Sequence, residues 1–504
     1  MSQTGHSRRR LSLDCDNPQR FAAISLSSSL PPEVILLLVQ YLGLKARASC
    51  ARVSRTWHRA FLPWIYDHVH ISLRNEDVIP SVQILEKYAQ LIGGLSFESG
   101  SEVVDSACLR LYCPHLASLD IQPLVIPGQD NGCLFLQRHQ NTLLKVSYRR
   151  KVTADIIDSL AECPRLRRLE LSQVQLAGPR DWMYFYDRVW SRLTVLVLST
   201  TVTIGNVGEP FERISGRGTA TIQDLTFDTS YRDGPATAAA VAYLWLLEHC
   251  PRLVRLHWHC STGQVSVRHL IAALNVANCW EYLEAMALIY FAIDQSDLSD
   301  LLDQMVRLTE LKLRHASFDQ GAWEVIKRFP RHLQTLRVLN LFGCEKLPSL
   351  AIQDIMATLW GLEVFKAHKT TDEAMEQDGD RPWVCLGLKE LQLQFDLLIP
   401  WPSTRILDRI SNLMELEYCH FDIKFPRFNI KEKRDFALSL DKGMGTLRTL
   451  RKLKKLNVRG EWGEPDAWWV LQAWPELEEV TNVQVEERAQ WLLHKVNFTP
   501  PKEL

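Results

Sequence analysis

Hydrophobic positions along the 504-residue chain fall into a recurring triplet, L-x-x-L-x-L. The clearest copies are Leu166/Leu169/Leu171, Leu193/Leu196/Leu198, Leu308/Leu311/Leu313, Leu336/Leu339/Leu341 and Leu388/Leu391/Leu393. Looser copies begin at Tyr66, Ile92, Leu116, Leu143, Ile222, Leu253, Leu283, Leu362, Leu413, Leu453 and Leu477, giving 16 starts at a mean spacing of about 27 residues. A single gap, the 40 residues from Leu413 to Leu453, breaks the rhythm. Apolar and polar residues alternate within each triplet, the pattern of a strand with one buried face. The stretches between triplets read as amphipathic helices that stop at a proline, as in Cys163-Pro164-Arg165-Leu166, Cys250-Pro251-Arg252-Leu253 and Trp474-Pro475-Glu476-Leu477. Proline has no amide hydrogen and disfavours helix at the residue before it, so it ends the helix and starts the turn into the strand.

One strand-helix unit cannot bury both of its apolar faces, whereas units stacked side by side form a continuous leucine core behind a parallel sheet. The period and the triplet resemble leucine-rich repeats of the helix-containing kind. The expected fold class is α/β: a curved solenoid of about 15–16 repeats over residues 71–495, with parallel strands on the concave face and helices on the convex face. Residues 496–504 read as a C-terminal tail, and Thr371 to Asp380, together with the charged run Lys431-Glu432-Lys433-Arg434-Asp435, as exposed loops.

Residues 30 to 71 follow a different pattern. Leu30-Pro31-Pro32-Glu33-Val34 opens a helix, with prolines suited to its first turn, Glu33 at the positive end of its dipole, and Val34, Ile35, Leu38 and Leu42 on a shared face. Gly43 ends it, and a second helical stretch holds Cys50, Val53 and Trp57 and ends near Pro63. Leu30-Pro31, Glu33-Val34, Leu37-Leu38, Tyr41-Leu42 and Val53-Ser54-Arg55-Thr56-Trp57 resemble the F-box family, with Ser54 standing where that family usually has cysteine. The resemblance implies a short all-α module at 28–70, behind a flexible tail at 1–27, that docks on the Skp adaptor of a cullin-RING ubiquitin ligase. It also implies that Leu30, Pro31, Val34, Leu38 and Leu42 face the adaptor, with Val53 and Trp57 shared between interface and internal packing. An F-box-like segment before leucine-rich repeats is similar to the substrate receptors of that ligase class, in which the repeats hold a protein target.

Composition narrows the alternatives. With 58 Lys+Arg against 59 Asp+Glu the chain has no global basic field, so neither nucleic acid nor an anionic membrane is expected as its main partner. No stretch approaches the roughly 20 apolar residues of a membrane span, and Arg8-Arg9-Arg10 is not followed by an apolar signal-peptide core. The 12 cysteines include no Cys-x-x-Cys pair and read as reduced, mostly buried thiols of a cytoplasmic or nuclear protein. There is no Gly-x-Ser-x-Gly, His-Glu-x-x-His or Walker sequence, so no catalytic residue, metal or cofactor is expected. His257 and His259 share a strand face, but two imidazoles are too few for a metal site.

The residues flanking the last two apolar positions of each triplet point away from the core. Around the middle of the array they are basic, and Arg255, His257, Lys312 and Arg314 are the candidates for holding an acidic or phosphorylated target segment. Ser12, after three arginines, matches a basophilic kinase site. Two rival readings remain beside the ligase receptor: a repeat scaffold that joins no ligase, and a repeat-bearing hydrolase, for which the motifs are missing.

Overall fold

The computed structural model describes residues 31–72, 81–98, 110–122, 131–149, 152–172, 179–199, 220–228, 236–260, 265–371, 381–396, 404–424, 438–493 and 496–499. Leu30, Ser12, the run at 431–435 and residues 372–380 lie outside them. The chain divides into two compact units, Met1–Asn131 and Gly132–Leu504.

The first unit opens with three helices, α1 (Pro32–Tyr41), α2 (Leu44–Cys50) and α3 (Arg55–Tyr66). The expected second stretch is therefore two helices, and Pro63 lies inside α3 instead of ending it. A proline there forfeits the one hydrogen bond its own nitrogen would have made, and α3 is held by packing of its apolar face. Ser54 explains the break between the two helices: it is the N-cap of α3, and its hydroxyl oxygen accepts from the Trp57 backbone N–H at 3.2 Å. The core of the three helices is Ile35, Val39, Ala51 and Phe61, with Leu42, Cys50, Trp57, Ala60 and Ile65 packed against it.

Without any linker, α3 is followed by β1 (His68–Ser72), which pairs in parallel with β2 (Gly94–Glu98), and β2 with β3 (Ser118–Ile121). The boundary expected at residue 70 thus falls inside the first strand. Tyr66 at the end of α3 stacks on Tyr88, at the end of the first repeat's helix Val82–Lys87, ring centroids 4.5 Å apart, so the helical module is packed onto that helix.

The second unit is one ladder. Its strands are β4 (Lys145–Tyr148), β5 (Arg168–Ser172), β6 (Val195–Ser199), β7 (Asp224–Asp228), β8 (Arg255–His259), β9 (Ala285–Ile289), β10 (Glu310–Arg314), β11 (Val338–Leu341), β12 (Val364–Thr371), β13 (Glu390–Asp396), β14 (Tyr418–Lys424), β15 (Lys455–Trp462), β16 (Glu479–Val485) and β17 (Asn497–Thr499). Each pairs in parallel with the next, and the first residues stay in register from Arg168 through Val195, Asp224, Arg255, Ala285, Glu310 and Val338. The ladder continues to β17, so the segment expected as a C-terminal tail supplies a strand.

The triplets form the core as their spacing implies: Leu193, Leu196, Leu198, Leu311, Leu313, Leu339, Leu341, Leu391 and Leu393 are all fully buried. Each contributes about 1.5–3 kcal/mol by leaving water, an upper bound because the unfolded chain is partly collapsed. Side-chain caps start several helices of this unit, with Ser266, Asp294 and Asp319 accepting from backbone N–H groups of the first turns. At the other ends, the thiols of Cys163 and Cys250 donate to the carbonyls of Ser159 and Leu246. Cysteine in this turn is thus a compact apolar plug that also satisfies a helix-terminal carbonyl.

One register differs from the reading of the sequence. The triplet of β14 is Leu416/Cys419/Phe421, because Cys419 pairs with Leu391. Leu413 is buried as well, but in the turn position that Cys163 and Cys250 hold in their repeats, three residues ahead of the triplet. A leucine in that turn imitates the start of a triplet. At Phe329-Pro330 the proline opens a short helix, Pro330–Thr335, and the triplet begins at Leu336, ahead of the strand Val338–Leu341.

Candidate functional site

Two faces carry the candidate residues, one in each unit. The first is the outer side of α1. The sequence Pro-Glu-Val-Ile-Leu-Leu-Leu-Val-Gln-Tyr is apolar nearly all round, and such a helix needs cover on both sides. Ile35, Val39 and Leu42 turn inward to the module's core, Leu38 is half-buried, and Pro31 and Val34 are exposed. Leu42 therefore packs inside, away from the face shared by Val34. Trp57 stacks on Phe61 at 5.5 Å within the core, and Val53 is exposed in the turn between α2 and α3. The structure adds residues the face assignment missed: Leu36, Leu37, Tyr41 and Leu44 are all exposed, Leu37 by 57% and Tyr41 by 85%. Their signal was present in the sequence as an excess of apolar positions over what one helix stripe can bury.

Arg47, in α2, holds this face in place. Its Nε donates to the Val39 carbonyl at 3.2 Å and its Nη1 to the Trp64 carbonyl at 3.3 Å, so one guanidinium meets the C-terminal ends of both α1 and α3. A cation at two helix C-termini is stabilising, and it fixes the packing of α1 on α3 independently of the apolar contacts.

The second face is the side of β5–β10 turned away from the leucine core. Arg168, Asp224, Arg255, Glu310 and Lys312 surround a hollow of about 250 Å³ with Val195, Val197, Ala285 and Ala287 between them. The expected basic character is largely cancelled. Arg255 Nη1 donates to both oxygens of Asp224 at 3.0 and 3.2 Å, Lys312 pairs with Glu310 at 2.5 Å and Lys366 with Glu390 at 2.6 Å. His257 lies between them; crowding by the strand-face side chains lowers its pKa, Lys312 adds to this, and the imidazole is neutral at pH 7. His259 pairs with Asp228 at 3.1 Å.

Burial pushes the thiols of Cys113, Cys163 and Cys344 up to about 11 and those of Cys279 and Cys385 to about 12, so they stay protonated. No group of three His, Cys, Asp or Glu is placed to hold a metal among those residues, and no helix of them is long and apolar enough to cross a membrane. Trp474 is buried and meets Trp469 edge-on at 5.0 Å, while Trp468 is exposed.

The family model described as F-box-like matches residues 27–72. No curated protein matches the sequence. Among solved structures the chain is similar to one of the Rad7 and Elc1 complex in yeast, at 14% identity over 93% of this chain and 92% of that one, TM-score 0.35. It is similar to the internalin InlF of Listeria monocytogenes at 14% identity over 83% and 89%, TM-score 0.28. It is also similar to TLR13 in a complex with ssRNA13 at 15% identity over 77% of this chain, TM-score 0.39, and spans about half of that protein, 49%. From the matched helices and the leucine-cored parallel ladder, the chain is an F-box-like domain followed by a leucine-rich-repeat solenoid, an architecture of protein interaction.

Proposed function

We propose that this protein is the substrate-recognition subunit of an SCF-type ubiquitin ligase. The outer face of α1 binds a Skp-type adaptor and through it a cullin-RING ligase, and the strand face of the repeats binds a protein target. The observation that carries this reading is the exposed apolar face of Val34, Leu36, Leu37 and Tyr41 inside the matched F-box-like segment. Apolar side chains clustered on one helix face are the anchors of helix-in-groove recognition, and they need no catalytic group. Direct passage from α3 into β1 gives the module a stiff connection to the first repeats, which suits a receptor whose role is to hold a target near a conjugating enzyme. Ubiquitin transfer then gains from effective concentration and orientation alone, in the cytoplasm or nucleus.

The test is titration of the purified full chain with a Skp-type adaptor, followed by capture of the cullin. The doubly substituted chain Leu37→Asp with Tyr41→Asp is expected to bind the adaptor at least about 100-fold more weakly, on the order of 3 kcal/mol, with its unfolding midpoint unchanged. A wild-type chain that binds neither adaptor nor cullin would leave a repeat scaffold outside any ligase.

A further inference from the structure

The outward face of β8–β12 balances its cations one by one, with a single exception among the described residues. Arg255, Lys312 and Lys366 each have a carboxylate, but Arg314, at the fifth position of β10, has none. Its Nε is sealed from solvent with no acceptor, so the half-buried guanidinium presents its charge through the two Nη groups. Glu345 acts on the neighbouring His315 but makes no ion pair with Arg314.

A row of rings runs beside it. His259 stacks on Tyr290 with centroids 5.3 Å apart, and Tyr290 on His315 at 4.5 Å with their planes 5° from parallel. Phe342 continues the row edge-on, 6.4 Å from His315 and 5.5 Å from His368. Tyr290 and His315 each follow the last residue of a strand, and both have left-handed backbones, φ 63° and 53°. That conformation is disfavoured for a residue with a side chain, and here it falls on two successive repeats. The next repeat has Gly343 at φ 82°, where a Cβ would stand 2.3 Å from His315 Nδ1. The backbone is thus strained twice, and a side chain is left out once, where two flat rings lie face to face with Tyr290 44% exposed.

Resting on the target-binding reading above, we propose that Arg314 and the Tyr290–His315 ring pair form the recognition site for an acidic segment of a protein partner. A carboxylate of that segment meets the Arg314 guanidinium, and the adjacent flat or apolar side chain lies on the Tyr290 ring. Charge complementarity selects this occupant: among the described residues, a guanidinium without a carboxylate is the one group of the face that gains a full ion pair from a partner. A polyphosphate backbone fits poorly, because beyond Arg314 it meets Asp224, Glu310 and Glu390 already seated on the other cations.

The probe is a random linear-peptide display library selected on the purified full chain, with one enriched peptide then synthesised and titrated. Enriched peptides are expected to carry Asp or Glu beside an aromatic or long apolar residue. The synthetic peptide is expected to lose about tenfold or more in affinity with Arg314→Gln and with Tyr290→Ala, to keep most of it with Arg314→Lys, and to change less than about twofold with Arg255→Gln or Lys312→Gln. Enrichment without acidic residues, no enrichment at all, equal binding by Arg314→Gln, or binding only after a phosphoserine replaces the acidic residue would overturn the site. Arg314→Lys retains the cation, so its rescue separates lost recognition from lost folding. Adaptor capture is scored on the same preparations: its loss counts against the ligase reading, while a failed peptide selection with intact capture counts against this site alone.

Discussion

The outer side of α1 and the outer side of β8–β12 both face away from a core, yet they are built on opposite rules. On α1 the apolar side chains exceed what the module can bury, and Leu36, Leu37 and Tyr41 are left in water beside only two polar residues of the helix, Glu33 and Gln40. On the strands nearly every charge brought to the surface has a counter-charge one strand or two residues away. On the proposed reading the first surface owes its affinity for the adaptor to burial, and its binding is expected to tolerate salt. The second is complete by itself, and selectivity falls to the few groups left unbalanced. A count of basic residues along a repeat array therefore overstates its attraction for acidic partners, whereas a count of apolar residues on a short helix reports a docking face directly.

Substitutions that separate core from face give the largest effects. Phe61→Ala removes a fully buried ring from beneath α1 and is expected to cost about 3–5 kcal/mol, melting the helical module in hydrogen exchange, whereas Leu37→Ala leaves the melt unchanged and weakens only adaptor binding. Acid titration probes the second unit. Burial alone would raise the pKa of Asp354, but hydrogen bonds from Lys327, Trp323 and Arg381 outweigh it and hold the carboxyl at about 2. That lies below the ordinary carboxylate value near 3.9, so its stabilisation is complete above about pH 5 and is lost as the pH falls toward 2. On the order of 1–2 kcal/mol rests on it, and Asp354→Asn is expected to remove that part of the acid dependence in denaturant melts. The core of the helical module, Ile35, Val39, Ala51 and Phe61, contains no titratable group and gives no counterpart.

Smaller effects sharpen the contrast. Ser54→Ala removes the N-cap of α3 and is expected to cost about 1 kcal/mol, read as a lowered midpoint of the module, with Ser54→Asp restoring it. Arg255→Met paired with Asp224→Asn in a double-mutant cycle is expected to show a coupling of only about 0.2–1 kcal/mol that shrinks with added salt, because both side chains are substantially exposed. A coupling above that range would mean the strand face is held together by its charges and not merely balanced.

The repeat was legible in the sequence because burial on one face of a strand imposes a period on leucine that chance does not produce. Registers were legible wherever the triplet stood alone, and failed at Leu413, where a buried turn residue spaced three positions ahead has the same apolar character as the triplet itself. The first strand was legible from the triplet that begins at Tyr66, whereas the last, Asn497–Thr499, was not, because it is three residues long and too short to show an alternation. The helical module was recognisable from Leu30-Pro31 through Trp57, but its inside and outside were not separable, since eight of the ten residues of α1 other than Glu33 and Gln40 offer no polar contrast. Ion pairing across strands was invisible to a reading of one strand at a time. Arg255 and Asp224 are 31 positions apart and become neighbours only once the register is known.

The most direct test is hydrogen exchange of the full chain with and without a Skp-type adaptor. Protection confined to peptides covering residues 31–57, with the strands from β4 onward unchanged, is the expected result, because the apolar face of α1 is the surface left uncovered. Adaptor-induced protection absent from α1, or present only on the repeat strands, would contradict the assignment of that face.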